Sequence, residues 1–211
     1  MTDEIRREHL LEIAATVLLA LAAIATAWAT YQSSRWHGKQ AEAQSASIAA
    51  RVESTRQGNV ANRQAQVDVS LFTQWIDAYV RGETELTNFY RRRFRDEFEP
   101  AFEAWVATKP LRNPDAPLSP FVLPQYKLAA TADAERLERE AAAFSNHVKT
   151  NIARADNYLL AVVMFAMALF FAAVSMRLRS HGPRIALLLM GYAIFIGTVV
   201  WLATFPVSLS I

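Results

Sequence analysis

Three stretches of the chain carry no charged side chain, and polar residues dominate the segment between the first two. The uncharged stretches are residues 13–31, 157–176 and 185–205. Each has about the 20 residues that a helix needs to cross the hydrocarbon core of a bilayer. The pattern predicts an all-α integral membrane protein with three transmembrane helices, and it excludes a soluble globular protein.

Residues 32–156 have a helical pattern throughout, which predicts an extramembrane helical bundle between the first and second spans. From Gln40 to Asn62 the chain is rich in Ala, Ser, Gln and Glu, with Ile48 and Val52 as the clearest large apolar residues. We expect this stretch to continue the first span and to pack by a narrow apolar seam. Larger side chains then recur at spacings of seven, four, four and four, up to a helix end expected at Gly82: Val60, Val67, Leu71, Trp75 and Tyr79.

An aromatic helix is expected from about residue 83 to 108, followed by a strap rich in proline. The helix carries an aromatic side chain at every fourth position: Tyr90, Phe94, Phe98 and Phe102. Pro100 lacks a backbone donor and should kink or restart this helix. Residues 109–126 contain five of the eight prolines, which predicts a stiff, non-helical strap. Its Phe121, Val122 and Leu123 are too apolar for a plain disordered linker.

The last helix of the extramembrane segment is expected to enter the membrane without interruption. Apolar side chains recur from residue 127 onward at spacings of three and four, and no helix breaker precedes Gly182: Leu137, Ala141, Phe144, Val148, Ile152, Ala155 and Leu159.

Composition narrows the classes of function. The chain has 211 residues, 53% of them hydrophobic, with a net charge of +2. Residues 32–156 hold 17 Lys and Arg against 16 Asp and Glu, which argues against a dedicated nucleic-acid binder. The absence of cysteine excludes disulfides, thiolate metal sites and cysteine nucleophiles.

The first span is interpreted as a retained anchor, since the preceding segment has a net charge of −2 and the apolar core is longer than that of a signal peptide.

Positive residues near short loops set the orientation of a membrane protein. The positive residues near the membrane ends are Arg6, Arg7, Arg177, Arg179 and Arg184. They place the tail 1–12 and the loop 177–184 in the cytoplasm, and the extramembrane segment and the tail 206–211 outside. One interface would then hold an aromatic belt: Trp28, Tyr31, Trp36, Tyr158, Trp201 and Phe205.

The sharpest local feature is the run of arginines and aromatic residues at 89–99. One interpretation is that Arg91, Arg92, Arg93 and Arg95 grip anionic lipid headgroups or an acidic partner. The other is structural and involves pairs four residues apart on one helix, each stabilising by about 0.2–0.5 kcal/mol. Those pairs would be Arg92 with Asp96, Arg93 with Glu97 and Arg95 with Glu99.

The first span allows a further hypothesis, a pore or an oligomer interface. Its threonines at 16, 26 and 30 are candidate pore-lining residues, and Glu12 at the inner edge would attract cations if repeated around a symmetric axis. Eight alanines in this span favour close helix approach in an oligomer.

Enzymatic chemistry is not indicated. The sequence lacks a Gly-rich phosphate loop, a nucleophile elbow and a dinucleotide fingerprint, and its four histidines have no metal-ligand spacing. We expect no catalytic residues, no metal and no cofactor.

Residues 27–41, Ala-Trp-Ala-Thr-Tyr-Gln-Ser-Ser-Arg-Trp-His-Gly-Lys-Gln-Ala, resemble the signature of a family of uncharacterised bacterial inner-membrane proteins with one span before and two after a helical domain. The resemblance implies a bacterial origin and the same architecture, and it implies no activity.

These observations favour a non-enzymatic protein of the bacterial inner membrane, an oligomeric scaffold or an accessory subunit, with membrane lipids and a second copy or another membrane protein as partners. Two alternatives stay open. One is a homo-oligomeric channel. The other is binding of a ligand or lipid by the extramembrane helices, which requires a pocket beneath the strap.

Overall fold

The computed structural model describes residues 2–178 and 180–208, without the side chains of residues 2–5 and 7. This part of the chain forms five α-helices, one short 3₁₀ turn at Pro120–Val122 and no β-strand. The helices are α1 (Thr2–Val80), α2 (Thr84–Arg91), α3 (Glu99–Ala107), α4 (Ala129–Arg177) and α5 (His181–Leu202).

Three of these helices, α1, α4 and α5, are long and apolar enough to cross a membrane by length and composition. The prediction of an all-α protein with three such helices is therefore confirmed. The tail positions 209–211 and Arg179, one of the arginines used for orientation, lie outside the described residues, and so does the side chain of Arg7.

Helix α1 is continuous for 79 residues, which confirms that the stretch from Gln40 to Asn62 continues the first apolar run. No proline interrupts it, and Ala, Gln and Glu have high helix propensity. The helix ends just before Gly82, as expected. Gly82 has a φ of 75°, in the left-handed region that glycine adopts without steric cost.

The chain divides into two compact units, whose boundaries fall inside α1 and α4. The span-bearing unit comprises Met1–Ser45 and Phe144–Ile211, and the inserted unit comprises Ala46–Ala143.

One core of the span-bearing unit joins three of the six aromatic residues that the sequence assigns to a belt, whereas Trp28, Tyr31 and Trp201 are exposed. Trp36 and Tyr158 are buried together, and Phe205 packs against them. Tyr158 donates a hydrogen bond to the carbonyl of Pro206 at 3.2 Å, and the backbone N–H of Ser208 donates to Gln32 Oε1 at 2.9 Å. These bonds hold the residues after α5 against the neighbouring segments of α1 and α4.

A second core of the same unit brings α1, α4 and α5 together through small residues. Ala15, Leu18, Ala172 and Leu188 are buried in it, and Tyr192 donates a hydrogen bond to the carbonyl of Ala14 at 2.9 Å. Further along α1, Ala22 and Ala29 are also buried within the chain. This part of the alanine-rich face of the first span therefore contacts the chain's own helices.

In the inserted unit, α1 and α4 pack through small side chains. The hydroxyl of Ser47 donates to the carbonyl of Ala141 at 3.0 Å, and that of Ser54 donates to the carbonyl of Ala134 at 2.8 Å. Ala50 is buried on the same side of α1. The expectation that Ile48 and Val52 form this seam is wrong, because their side chains are 53% and 64% exposed.

The aromatic helix expected at 83–108 is two short helices, α2 and α3, separated by turns. Pro100 lies in the first turn of α3. Its missing N–H costs no hydrogen bond there, because N–H groups in the first turn have no carbonyl acceptor within the helix. The expectation that Pro100 restarts the helix is correct, but the break begins earlier, after Arg91. The strap at 109–126 is non-helical apart from its 3₁₀ turn, as expected.

We expect Gly191→Leu to destabilise the span-bearing unit. A Cβ atom at Gly191 would lie 3.1 Å from Leu18 Cδ2 and 3.4 Å from the carbonyl oxygen of Ala168. Overpacking of this kind costs about 1–3 kcal/mol. Thermal unfolding of the purified protein in detergent, followed by tryptophan fluorescence, measures the loss.

Gly197→Leu is the matched control for this test. It lies on the same helix with open space around the position of its Cβ atom, and we expect its melting temperature to stay close to that of the wild type. Equal losses in both variants would contradict the tight packing at Gly191.

Candidate functional site

The four arginines of the 89–99 run have four different environments. Because α2 ends at Arg91, the residues that follow do not continue a helix, and the expected pairs four residues apart are wrong. Within the described residues, Arg92 is exposed and has no ion pair. Arg93 donates to the carbonyl of Phe89 at 3.1 Å and lies over that residue's ring.

Arg91 is tied to α3. Its Nη2 lies 3.1 Å from Glu103 Oε1 and 3.7 Å from Glu99 Oε1, and its guanidinium lies 5.1 Å from the ring centroid of Phe102. These contacts fix α2 against α3 across the break, so Arg91 has a structural role.

Arg95 points inward to a buried carboxylate that the sequence analysis did not single out, that of Asp68 on α1. Asp68 is fully buried, and its Oδ2 accepts hydrogen bonds from Arg95 Nη1 and from the hydroxyl of Tyr126, each at 3.0 Å. Asp68 Oδ1 has no donor among the described residues. Burial raises the pKa of Asp68, and the bonds from Tyr126 and Arg95 partly offset this effect.

The same arginine links the carboxylate to the start of α4. Arg95 pairs with Glu97, whose Oε1 accepts a hydrogen bond from the backbone N–H of Ala129 at 3.0 Å. Ala129 is the first residue of α4, so Glu97 satisfies one of the free N–H groups of that helix. Burial and the charge of Asp68 raise the pKa of Tyr126, which keeps its phenol protonated as a donor.

An aromatic core adjoins this network through Tyr126, and it contains all four residues of the aromatic stripe expected at 90–102. Phe98 and Phe102 are buried, and Phe94 and Tyr90 pack against them. The strap contributes Phe121, which stacks on Phe98 with ring centroids 5.1 Å apart. The buried α1 side chains of the core are Phe72 and Trp75, and Ile76 packs against them. The expected stripe on α1 omitted Phe72 and Asp68, and it is wrong for Val67 and Tyr79, which are about half exposed.

A cavity of about 650 Å³ opens beside this core, entirely within the inserted unit. Its aromatic wall is formed by Trp75, Tyr79 and Trp105. Trp75 and Tyr79 stack with ring centroids 5.1 Å apart, and the indole N–H of Trp105 donates to the carbonyl of Pro117 at 2.8 Å. Both indoles are therefore held in fixed positions. The remaining wall is apolar or polar and uncharged: Ile76, Thr87, Asn88, Val106, Pro110 and Leu111.

Three cations border the cavity, namely Arg91, Lys109 and Arg112. Within the described residues, Lys109 and Arg112 have no ion pair. The backbone of Lys109 has a φ of 53°, and its carbonyl accepts hydrogen bonds from the N–H groups of Arg112 and Asn113. The start of the strap thus carries two unpaired cations at the mouth of an aromatic cavity. This arrangement suits a ligand with an apolar body and an anionic group.

The candidate pore residues do not converge within one chain. The hydroxyls of Thr16, Thr26 and Thr30 each donate to the carbonyl one turn earlier on α1, at 2.7–2.8 Å. Thr16, Thr30 and Glu12 are exposed on the surface of that helix. In the described residues there is also no group of three His, Asp or Glu side chains that could hold a metal ion.

Searches against protein-family models, curated proteins and solved structures find no match for this chain.

We expect Arg95→Met to destabilise the inserted unit by about 2–4 kcal/mol at neutral pH, because it leaves the carboxylate of Asp68 buried without its cation. The exposed Arg92→Met is the control and should change stability by less than about 0.5 kcal/mol. Unfolding followed by tryptophan fluorescence reports the change through Trp75 and Trp105 in the core.

The loss in the free energy of unfolding caused by Arg95→Met should become smaller as the pH falls. Loss of Arg95 raises the pKa of Asp68 further, so the folded chain binds this proton more tightly than the unfolded chain, whose aspartate has an ordinary pKa of 3.8. The contribution of Asp68 to stability then improves on acidification and worsens as pH rises through the folded pKa. A deficit relative to the wild type that stays constant between about pH 8 and pH 5 would contradict this role.

Proposed function

We propose that this chain is a non-enzymatic accessory protein of the bacterial inner membrane, in which three spans anchor an extracytoplasmic helical unit that binds a ligand. The observation that carries the proposal is the cavity of about 650 Å³ bounded by Trp75, Trp105 and the start of the strap. Ligand sites of small molecules have volumes of about 300–1,000 Å³ and mostly apolar walls with a few polar groups. The cavity meets the criterion of volume, and its wall is mixed, with seven apolar or aromatic residues and five polar or cationic ones.

The position of the cavity also refines the hypothesis of a pocket beneath the strap. Phe121, Leu123 and Tyr126 pack onto the aromatic core, so the second half of the strap covers a solid interior. The first half borders the cavity through Lys109, Pro110, Leu111 and Arg112. Binding would therefore use the beginning of the strap.

The roles of the charged groups nearby support a non-enzymatic protein. Asp68, Arg95 and Glu97 are engaged with one another and with the start of α4, and Arg91 is paired with Glu99 and Glu103. These groups hold the helices together, and the charged groups that line the cavity are cations, which suit the binding and orientation of an anionic ligand.

Two observations support a cytoplasmic location for the first residues and the 177–184 loop. Arg6 and Arg177 carry positive charge next to apolar segments, as short cytoplasmic loops do. Oε1 of Glu8 on α1 lies 3.9 Å from Nε2 of His181 at the start of α5, so the first residues and the loop before α5 are neighbours and would share one side of the membrane. The resemblance of residues 27–41 to bacterial inner-membrane proteins favours that membrane.

A homo-oligomeric scaffold or channel has less support. Ala15, Ala22 and Ala29 are buried within one chain, so these alanines are accounted for without a second copy. The threonine hydroxyls of the first span are satisfied by their own helix.

Orientation is testable with single cysteines, because the chain has none of its own. Asn59→Cys lies in the inserted unit and Ser180→Cys in the loop between α4 and α5, and both positions are exposed. In intact spheroplasts, a membrane-impermeant maleimide should label the cysteine at 59, whereas the cysteine at 180 should require permeabilisation. The opposite pattern would reverse the proposed orientation.

Ligand binding is testable with three naphthalene probes of one shape and different charge: naphthalene-2-sulfonate, naphthalene-2-sulfonamide and 2-naphthylmethylammonium. We expect at least one to bind the protein in lipid nanodiscs, measured by isothermal titration with empty nanodiscs as a blank. Val106→Trp fills the cavity and should abolish that binding.

Val52→Trp is the matched control, since Val52 is exposed outside the cavity. Its binding should equal that of the wild type. If no probe binds, or if both tryptophan variants bind as the wild type does, the cavity is not a ligand site and the proposed function fails.

A further inference from the structure

We propose that the ligand of this cavity is an amphipathic anion, a carboxylate, sulfonate or phosphate group carried on an aromatic or other flat apolar body. This inference rests on the proposed function and adds the chemical class of the ligand, the residues that select it and the part each one plays.

The apolar body is selected by the two indoles. Trp75 and Trp105 are each at least nine-tenths buried in the aromatic core, so the small part of each ring that borders the cavity is rigid and loses little conformational entropy when a ligand packs against it. Val106 and Leu111 extend this surface, and Leu111 is 59% exposed at the rim. An exposed leucine beside buried indoles gives an apolar ligand a continuous surface to cover.

The charge is selected by the cations at the mouth. The residues of the described chain that line the cavity include Arg91, Lys109 and Arg112 but no aspartate or glutamate. The charge of Arg91 is shared with Glu99 and Glu103, whereas Lys109 and Arg112 have no carboxylate partner among the described residues. An anion therefore gains two attractive partners that would repel a cation.

The backbone of Lys109 supports a role for its side chain. The residue follows the end of α3 in the left-handed conformation, a position where glycine is the common residue and other residues pay a steric cost. The hydrogen bond from its N–H to the carbonyl of Val106 and those accepted by its own carbonyl hold this conformation. A lysine at this position is unfavourable for folding and places a cation at the cavity.

Asn88 supplies a polar group on the opposite element. It lies near the end of α2, is exposed and lines the cavity, and within the described residues no hydrogen bond engages its side-chain amide. Its NH₂ group is a donor that an anionic oxygen accepts. The two cations come from the strap and this amide from α2, so both segments offer groups that suit an anion in the cavity.

The experiment compares the three naphthalene probes on the wild type and on two variants, Lys109→Gly and Arg112→Ala. For the wild type, the sulfonate should bind at least tenfold more tightly than the sulfonamide, and the ammonium more weakly than either. Each variant should weaken sulfonate binding by about threefold or more and leave sulfonamide binding within about twofold. Lys109→Gly suits the left-handed backbone, so loss of fold does not explain its effect.

Lys127→Ala is the matched control, because it removes an exposed cation that does not line the cavity. It should leave binding of all three probes unchanged. Sulfonamide binding as tight as sulfonate binding, or sulfonate binding indifferent to Lys109→Gly and Arg112→Ala, overturns the anion assignment. In either case the cavity still binds a ligand, and the proposed function survives.

Nanodiscs of two compositions distinguish the two sources of such an anion. If an anionic lipid occupies the cavity, discs containing phosphatidylglycerol should weaken sulfonate binding to the wild type compared with discs of phosphatidylcholine alone. Equal affinity in both discs assigns the anion to a soluble molecule. Both results support the anion class, provided that the lysine and arginine variants lose affinity.

Discussion

The inserted unit depends on one fully buried carboxylate. Asp68 is fully buried, and a buried ionised carboxylate is costly unless a cation and hydrogen-bond donors reach it. Arg95 and Tyr126 meet this need, and they come from two segments that are otherwise irregular, the turns after α2 and the end of the strap. Through Glu97 the same group reaches the first N–H of α4. Four parts of the unit are thus tied to a single side chain, which explains how two short helices and a proline-rich strap keep a defined position beside α1.

The features that sequence analysis could predict are those set by local physics. The uncharged runs, the unbroken course of α1 to Gly82, the restart at Pro100 and the non-helical strap follow from charge, helix propensity and backbone geometry within a few residues. The break after Arg91 could not be predicted, because no glycine or proline lies between Arg92 and Phe98 and the turns are held by the contact of Arg95 with Asp68, 27 residues away. The cavity could not be predicted from the sequence either, since its walls come from α1, α2, α3 and the strap. The lone aspartate between Ala61 and Phe72 on the buried face of α1 was the available signal.

Arginines of the 89–99 run have structural contacts, and one of them also borders the cavity. The two interpretations of these residues were ion pairs on a helix surface and a grip on an anionic partner. Arg95 serves the interior, and Arg91 serves the junction of α2 and α3 while it also borders the cavity. The cations without an ion pair at that cavity, Lys109 and Arg112, belong to a different segment, the beginning of the strap, which the sequence pattern marks by its prolines and apolar residues. Residue composition alone does not separate charges that hold a fold together from charges that remain available to a ligand.

The serine contacts between α1 and α4 in the inserted unit have a consequence for how this protein can change in length. Ser47 and Ser54 are seven residues apart, and so are the carbonyls of Ala141 and Ala134 that they reach on the antiparallel helix. A seam that repeats every seven residues keeps the same face in contact only if both helices gain or lose residues in sevens. This helix pair can therefore be lengthened or shortened in steps of about 10 Å, seven residues at 1.5 Å each, without a change in the contact. Insertion of a single residue would turn the serines away from their acceptors and bring charged side chains into a seam built for alanine and serine.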